Sequence, residues 1–376
     1  MSFLPAVIGF LIVATVLWEA FETIVLPRRV ARRWRITVLF YRVTWFPWRS
    51  LAHAIKRVRL RETFLSIFGP ASLLFLFVFW AAALVLGFGL LYRSAAIANA
   101  IPQSFSACVY LSGTTFFTLG LGDVVPHAEV QRFLAVTESG LGFGFLALVL
   151  SYLPVIYQAF SRREVNIVLL DARAGSPPTA CEFLRRHTGP GGLEALEQVL
   201  HAWERSAADI LESHVSYPAV CYFRSQHNNE SWLAALTAIL DSTALLLTGV
   251  ENVESRQFRL TFAICRHTVV DLAQVFNLRP HREHADRLPA EELHRLRAVL
   301  AQAGVQLRND DAAAAKLLKL REMYEPYLHA LSDFLYMELP PWILAREITD
   351  NWRTSAWGRI TGFSSPGPRE PDDHAD

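Results

Sequence analysis

The six residues Thr118-Leu119-Gly120-Leu121-Gly122-Asp123 are the stretch of this sequence best suited to a chemical task, and the task belongs to the backbone. Consecutive carbonyl oxygens face the same way only if the chain alternates between right- and left-handed conformations. Glycine enters the left-handed ones without steric penalty, so glycines at every second position allow a row of oxygens aimed to one side. Such a row can replace the water around an alkali cation. Thr118 adds a hydroxyl at the inner end. Glycine spacing alone carries no such meaning: Gly140-Leu141-Gly142-Phe143-Gly144 lacks the threonine and the aspartate, and reads as helix flexibility or packing.

A non-helical strand is tolerated at membrane depth only where it is buried in protein or lines a wet cavity, so flanking elements must place it there. Ser104 to Phe117 is uncharged. As a helix it would span about 21 Å, enough to enter a bilayer and too little to cross it. Pro102 followed by Ser104 suits a helix start. The partial negative charge at the far end of that helix favours a cation. On either side lie runs without any charged side chain, Phe64–Tyr92 and Ser139–Phe160. Both reach the roughly 20 residues that a spanning helix needs. A third apolar run, Phe3–Trp18, continues through Ile24-Val25-Leu26. It lacks the basic start and the cleavage site of a signal peptide, and is expected to be a retained helix. Glu19 and Glu22 are expected at the headgroups, paired with Arg28 or Arg29.

Charge sets the orientation. Eleven basic residues lie between Pro27 and Glu62, whereas Tyr92 to Gln131 holds only Arg93. The excess places 27–62 in the cytoplasm, 93–131 and the N-terminus outside, and everything after Phe160 inside, in keeping with Arg162-Arg163. The basic segment does not carry arginines at every third position of an apolar helix, as a voltage sensor does. Mixed with Trp34, Tyr41, Trp45 and Trp48, the cations at 28–61 suit a helix in the interface on anionic lipid. The flanking spans argue against nucleic acid as the partner. Composition agrees with a membrane protein: 52% of residues are hydrophobic and mean hydropathy is +0.24, high for a soluble chain of this size.

Outer helix, re-entrant helix, filter strand and inner helix follow one another in 64–160, and in this order the segment resembles the potassium-channel pore family. Thr118, Gly120, Gly122 and Asp123 match the family's filter motif, and Val124-Val125-Pro126 the turn that commonly follows. The resemblance implies a pore domain at 63–160, with outer helix 64–92, pore helix 104–117, filter 118–123 and inner helix 130–160. It implies K+ as the permeant ion, held by the carbonyls of Thr118, Leu119, Gly120 and Leu121, and neither enzymatic activity nor a cofactor. One filter per chain and no internal repeat imply a homotetramer, since a closed ring needs four strands. Gly142 falls where the family has its inner-helix hinge, and Pro154 adds a second kink. Two positions depart from the family. Leu121 stands where an aromatic is usual, although leucine occurs in second pore loops of two-pore-domain channels. Thr114 stands where the pore helix usually supplies a partner for the filter aspartate.

The whole chain therefore reads as an all-α integral membrane protein of the plasma membrane. Three transmembrane helices and a re-entrant pore helix with its filter precede a C-terminal helical cytoplasmic domain. The expected order is a spanning helix at 1–26, a basic interfacial segment at 27–62, the pore domain, a cytoplasmic domain at 161–362 and a disordered tail at 363–376. In 161–376 acidic residues outnumber basic ones, 29 to 23. Apolar spacing predicts helices near 192–216, 229–249, 255–277, 289–304 and 311–338. Trp232–Val250 is expected as a buried core helix and not as a fourth span, because Asp241 sits at its centre. No glycine-rich dinucleotide loop is present. His267 and Asp271 share a helix face, with Glu212 and His214 elsewhere, and without a repeated Glu-x-x-His they do not imply a metal centre. Cys108, Cys181, Cys221 and Cys265 show neither metal spacing nor a reason to pair. His127 is expected as an exposed residue at the outer mouth. Two rival readings are a weakly selective cation channel and a membrane receptor or enzyme with a vestigial pore; a vestigial pore has no reason to keep the four filter residues together. No residue pattern identifies a ligand for the cytoplasmic domain or what opens the pore.

Overall fold

A computed structural model describes residues 3–26, 36–189, 191–227, 229–250, 256–281, 283–345 and 350. Every regular element among them is helical, apart from an isolated bridge between Val250 and Leu307. They fall into two compact units, one of Met1–Lys56 with Phe64–Gln158, the other of Arg57–Thr63 with Ala159–Asp376. Among the described residues, four helices are long and apolar enough to cross a membrane.

The first unit is built on α3 (Val58–Ala98), which begins before the apolar run and ends beyond it. Helix α2 (Ile36–Ala54) packs lengthwise on its first half, with Trp48 stacked on Phe64 at 4.5 Å and tilted ring contacts of Trp45 with Phe68 at 4.7 Å and of Phe40 with Phe79 at 6.0 Å. As the α2 numbers fall the α3 numbers rise, so the two helices form an antiparallel hairpin. Helix α1 (Phe3–Ala20) crosses the second half of α3 at a glycine pair. A Cβ on Gly9 would lie 2.6 Å from the Gly87 carbonyl oxygen, closer than any side chain allows. Small residues let two backbones approach in this way where lipid offers no hydrophobic drive for helix pairing. The end of α1 widens into a π-turn, Phe21–Val25, in which Glu22 accepts from the Trp18 indole at 2.7 Å. Glu19 is fully buried and accepts from both the amide (3.2 Å) and the hydroxyl (3.0 Å) of Thr37, which joins α1 to α2. Arg28 and Arg29, the partners expected from sequence, lie outside the described residues. Helices α4 (Phe105–Phe116) and α5 (Glu129–Ala174) complete the unit, and α5 continues unbroken past residue 160 into the second one.

The second unit centres on α8 (Trp232–Gly249), buried at every residue but Leu247 and Gly249. Its hydroxyls are satisfied within the helix: Thr237, Ser242, Thr243 and Thr248 each donate to the carbonyl four residues back. The charge that sequence reading stumbled on, Asp241, meets Arg287 at 2.7 Å and the Tyr324 hydroxyl at 2.7 Å, and Arg287 also bonds Glu325 and the Pro340 carbonyl. Helices α7 (Gly192–Ser216) and α9 (Arg256–Val275) run parallel. Thr261 donates to the Leu200 carbonyl and Thr268 to that of Ala207, a seven-residue repeat on both helices. Around them stand α6 (Ala180–Arg186), α10 (Ala290–Gln302), α11 (Asp311–Glu322) and α12 (Glu325–Leu335). The helix expected at 311–338 is thus two, broken at Met323-Tyr324 because Pro326 cannot continue a helix begun upstream. The expected helices near 192–216, 229–249, 255–277 and 289–304 correspond to α7, α8, α9 and α10 within a few residues. Residues 351–376, including the tail expected to be disordered, lie outside the described set.

Arg163, late in α5, is fully desolvated. It donates to the carbonyls of Val220 (3.1 Å) and Phe223 (2.9 Å), pairs with Glu164 and faces the His214 ring at 3.2 Å. The start of α3 is held in the same unit. Arg61 lies over the Tyr336 ring and meets Glu338, while Glu62 meets Arg224 at 3.6 Å.

Histidines give this unit a pH dependence of definite sign. Burial, aided by the neighbouring His284, lowers His329 to about 4. Burial, aided by Arg163, holds His214 well below the usual histidine range. In the unfolded chain both bind a proton near 6.5, so between that value and about 4 the unfolded state holds more protons and stability is lost as pH falls. Above about 6.5 the profile should be flat in these groups. His329→Phe keeps the ring stacked on His284, 3.9 Å away, and removes one titration. Thermal unfolding of the full chain should show a shallower loss between pH 6.5 and 4 in that variant, and an unchanged slope would contradict the assignment.

Candidate functional site

The site begins with α4. Ser104 caps it, its hydroxyl accepting from the Ala107 amide at 3.1 Å, as the sequence predicts. The helix is pinned between two glycines. On α3, a Cβ at Gly89 would come within 2.8 Å of the Val109 side chain; on α5, a Cβ at Gly142 would come within 2.0 Å of the Phe116 carbonyl oxygen. Neither position has room for a methyl group, so the glycines fix how deeply α4 sits against both long helices.

Beyond α4 the backbone alternates as the motif requires. Thr118, Gly120 and Gly122 take φ of +57°, +55° and +79°, while Leu119 and Leu121 do not enter the left-handed region. For Thr118 this is a strained state, worth roughly 1–2 kcal/mol in a residue with a branched Cβ. The strand is tied at its start by two helical carbonyls: that of Thr115 takes the Thr118 amide (3.0 Å), and that of Thr114 takes both the Leu119 amide (2.7 Å) and the Gly120 amide (3.2 Å). Among the described residues of the single chain, Leu119 and Leu121 stay 62% and 64% exposed, an apolar strand left largely uncovered.

Thr114 does not replace the usual pore-helix partner of the aspartate. Its hydroxyl turns back to the Leu111 carbonyl at 3.0 Å, and its contribution to the filter comes from its backbone. Asp123 interacts instead with the hydroxyl of Tyr110, one turn earlier on α4. Beyond the filter, Gln103 donates to the Val125 carbonyl (3.1 Å), and Gln131 donates to Gln103 (2.8 Å) and to the Tyr92 carbonyl while accepting from the amides of His127 and Ala128. Gln131 is fully buried. Behind α4, Tyr92 and Ser112 both meet the buried carboxyl of Glu138. None of these six residues stood out in the sequence. For Glu138 and Gln131 a signal existed, since both are polar at the start of a span, where an unpartnered group is expensive.

The hinge candidates behave differently from each other. Helix α5 is continuous through Gly142 and Pro154. Gly142 is a seat for the end of α4, whereas Gly140 and Gly144 have nothing within 4 Å of where a Cβ would stand. Gly142→Ala should therefore displace α4 and abolish or strongly reduce cation flux, while Gly140→Ala leaves the seat intact and should be far milder. Flux through the two purified variants in liposomes measures this; equal losses would assign Gly142 no more than helix flexibility.

The family model described as an ion channel matches residues 73–158. A curated relative, the uncharacterized membrane protein YdjJ of Bacillus subtilis (strain 168), is 22% identical over 204 residues, which cover 52% of this chain and 58% of that protein. The chain thus spans less than two thirds of the relative's length. No solved structure matches. With the left-handed alternation at Thr118, Gly120 and Gly122 lying inside the matched segment, residues 73–158 are a pore domain of the ion-channel family, of the potassium-channel type.

Proposed function

We propose that four copies of this chain surround one ion path and conduct K+ passively, in preference to Na+, through carbonyl oxygens of Thr118, Leu119, Gly120 and Leu121. The observation that carries this reading is the alternation of left-handed backbone at Thr118, Gly120 and Gly122. Such alternation can turn successive carbonyls to one side, the arrangement that replaces the hydration shell of a cation. A single strand supplies only part of a coordination shell, and the exposed Leu119 and Leu121 need covering, so symmetry-related copies supply both. The helices α1, α3 and α5 are the three spans, with the N-terminus outside, the basic 27–62 segment at the cytoplasmic face of the plasma membrane and α4 re-entrant. Helix α8 meets the length and hydropathy of a span but is read as the core of the cytoplasmic unit, because lipid would strand Asp241 apart from Arg287. Anionic headgroups remain the proposed partner of Arg42, Arg49, Lys56 and Arg57; Arg61 is engaged by protein.

The rival within the same class is a weakly selective cation channel. It is favoured by Leu121, which cannot hydrogen-bond to the pore helix from behind the filter. Purified protein should run as a tetramer in mild detergent and, under bi-ionic conditions, show a reversal potential that favours K+. A reversal potential of zero would establish the weakly selective alternative, and a conducting monomer or dimer would refute the four-fold ring. At Gly120 nothing lies within 4 Å of where a Cβ would stand, so Gly120→Ala acts only through the backbone, at roughly 1–2 kcal/mol in each copy. The variant should insert normally and carry no K+ current; wild-type current would sink the filter assignment.

A further inference from the structure

Glu138 stands near the start of α5, fully buried, in a helix that this reading places in the membrane. Among the described residues no basic side chain lies within ion-pair distance of it. Its contacts are two hydroxyls from two other helices. Tyr92 of α3 donates to one carboxyl oxygen at 2.8 Å, and Ser112 of α4 meets the other. Ser112 is itself fully buried, and its hydroxyl also reaches the Val85 carbonyl on α3 at 2.8 Å.

The hydrogens can be counted. Ser112 has one hydroxyl proton and faces two acceptors, the Val85 carbonyl and the Glu138 carboxyl. If Glu138 were a carboxylate, one of those contacts would set oxygen against oxygen with no proton between them. If Glu138 carries a proton it donates to Ser112, Ser112 donates to Val85, and Tyr92 donates to the remaining carboxyl oxygen. Every polar atom is then satisfied in one chain that passes from α3 to α5 to α4 and back to α3.

We propose that Glu138 is the positioning residue of this pore, an uncharged carboxyl that locks the pore helix to both long helices and thereby fixes the filter from its far side. The proposal rests on the channel reading and adds to it the source of filter rigidity. Behind the filter itself, Tyr110 ties only the outer end at Asp123, while the Leu121 side chain has no polar atom and the Thr114 hydroxyl is spent on its own helix. Ser112 lies two residues before Thr114, whose carbonyl holds the start of the filter, so a shift of α4 at Ser112 is a shift of the filter.

An amide reproduces the brace, donating to Ser112 and accepting from Tyr92; an alanine removes it. The test is made on full-length protein in liposomes with two readouts. The bi-ionic reversal potential does not depend on how much protein folds or inserts, and amide hydrogen exchange of residues 105–116 reports the seating of α4 without requiring conduction. Glu138→Ala should raise relative sodium permeability roughly tenfold and speed exchange in α4, while Glu138→Gln should stay within about twofold of wild type in both. Tyr92→Phe and Ser112→Ala should fall between, and neither should add to Glu138→Ala. Should Glu138→Ala fail to insert, Tyr92→Phe and Ser112→Ala carry the same two measurements. Unchanged permeability and exchange on breaking the brace would overturn the proposal, as would Glu138→Gln proving as damaging as Glu138→Ala. If the wild type passes no cation the channel reading fails, and the exchange comparison still decides the brace: faster exchange in Glu138→Ala upholds it and equal exchange refutes it.

Discussion

A carbonyl aimed at an ion is a carbonyl withheld from every protein donor. In the filter proposed above, four in succession would leave the strand short of the bonds that normally hold backbone in place, and at membrane depth water could not stand in for them. The rest of the pore unit follows from that deficit. The Thr114 and Thr115 carbonyls at the end of α4 take the amides of Thr118, Leu119 and Gly120. The Gln103–Gln131 pair catches the chain where it leaves the filter, and the glycines of α3 and α5 let α4 sit deep enough to serve as a fixed wall. Strain at Thr118 persists because these attachments on either side determine the conformation between them.

The same physics is handled differently in the second unit. There, charged groups are buried in quantity, and several are matched by opposite charge: Asp241 with Arg287, Glu325 with Arg287 and Arg321, Asp350 with Arg186. Taking ions out of water is tolerable when the partner is close and the spare protons are placed, as on the Pro340 carbonyl. Around Glu138 and Gln131 the pore unit instead places hydroxyls and amides. Neutral bonds carry less desolvation penalty in lipid than charged ones.

Much of this was legible in the sequence, for reasons of range. The filter is a local motif whose conformation depends on residue type at consecutive positions, so Gly120 and Gly122 announced it. The short helix before it could be read from its length and from Ser104. The long apolar helices followed from composition. What escaped were contacts between residues far apart in the chain. Of Tyr92, Ser112 and Glu138 only the last stands out alone, as a carboxyl in an apolar helix, and only the packing of three helices makes them a unit. Tyr110 could be noticed as a phenol on the pore helix but not aimed at Asp123. Gly142 was visible as a glycine, yet sequence could not distinguish freedom to bend from lack of room, which the neighbouring Phe116 carbonyl decides. Helix α6 was missed although Thr179 and Glu182 spell a capping box, because seven residues are too few for a periodic signal. The break before Pro326 was overlooked for the opposite reason, an apolar period strong enough to run across it.

Within the pore unit, α5 meets its surroundings at Gln131, Glu138 and Gly142. The intervals are seven and four residues, close to two turns and one, so all three fall on one face of the helix. Because every residue of an α-helix advances the phase by about 100°, adding or deleting one residue between any two of them would turn one away by more than a quarter of a revolution. The number of residues separating them is thus as constrained as their identity. Evolution can exchange the apolar side chains of this stretch far more freely than it can change its length.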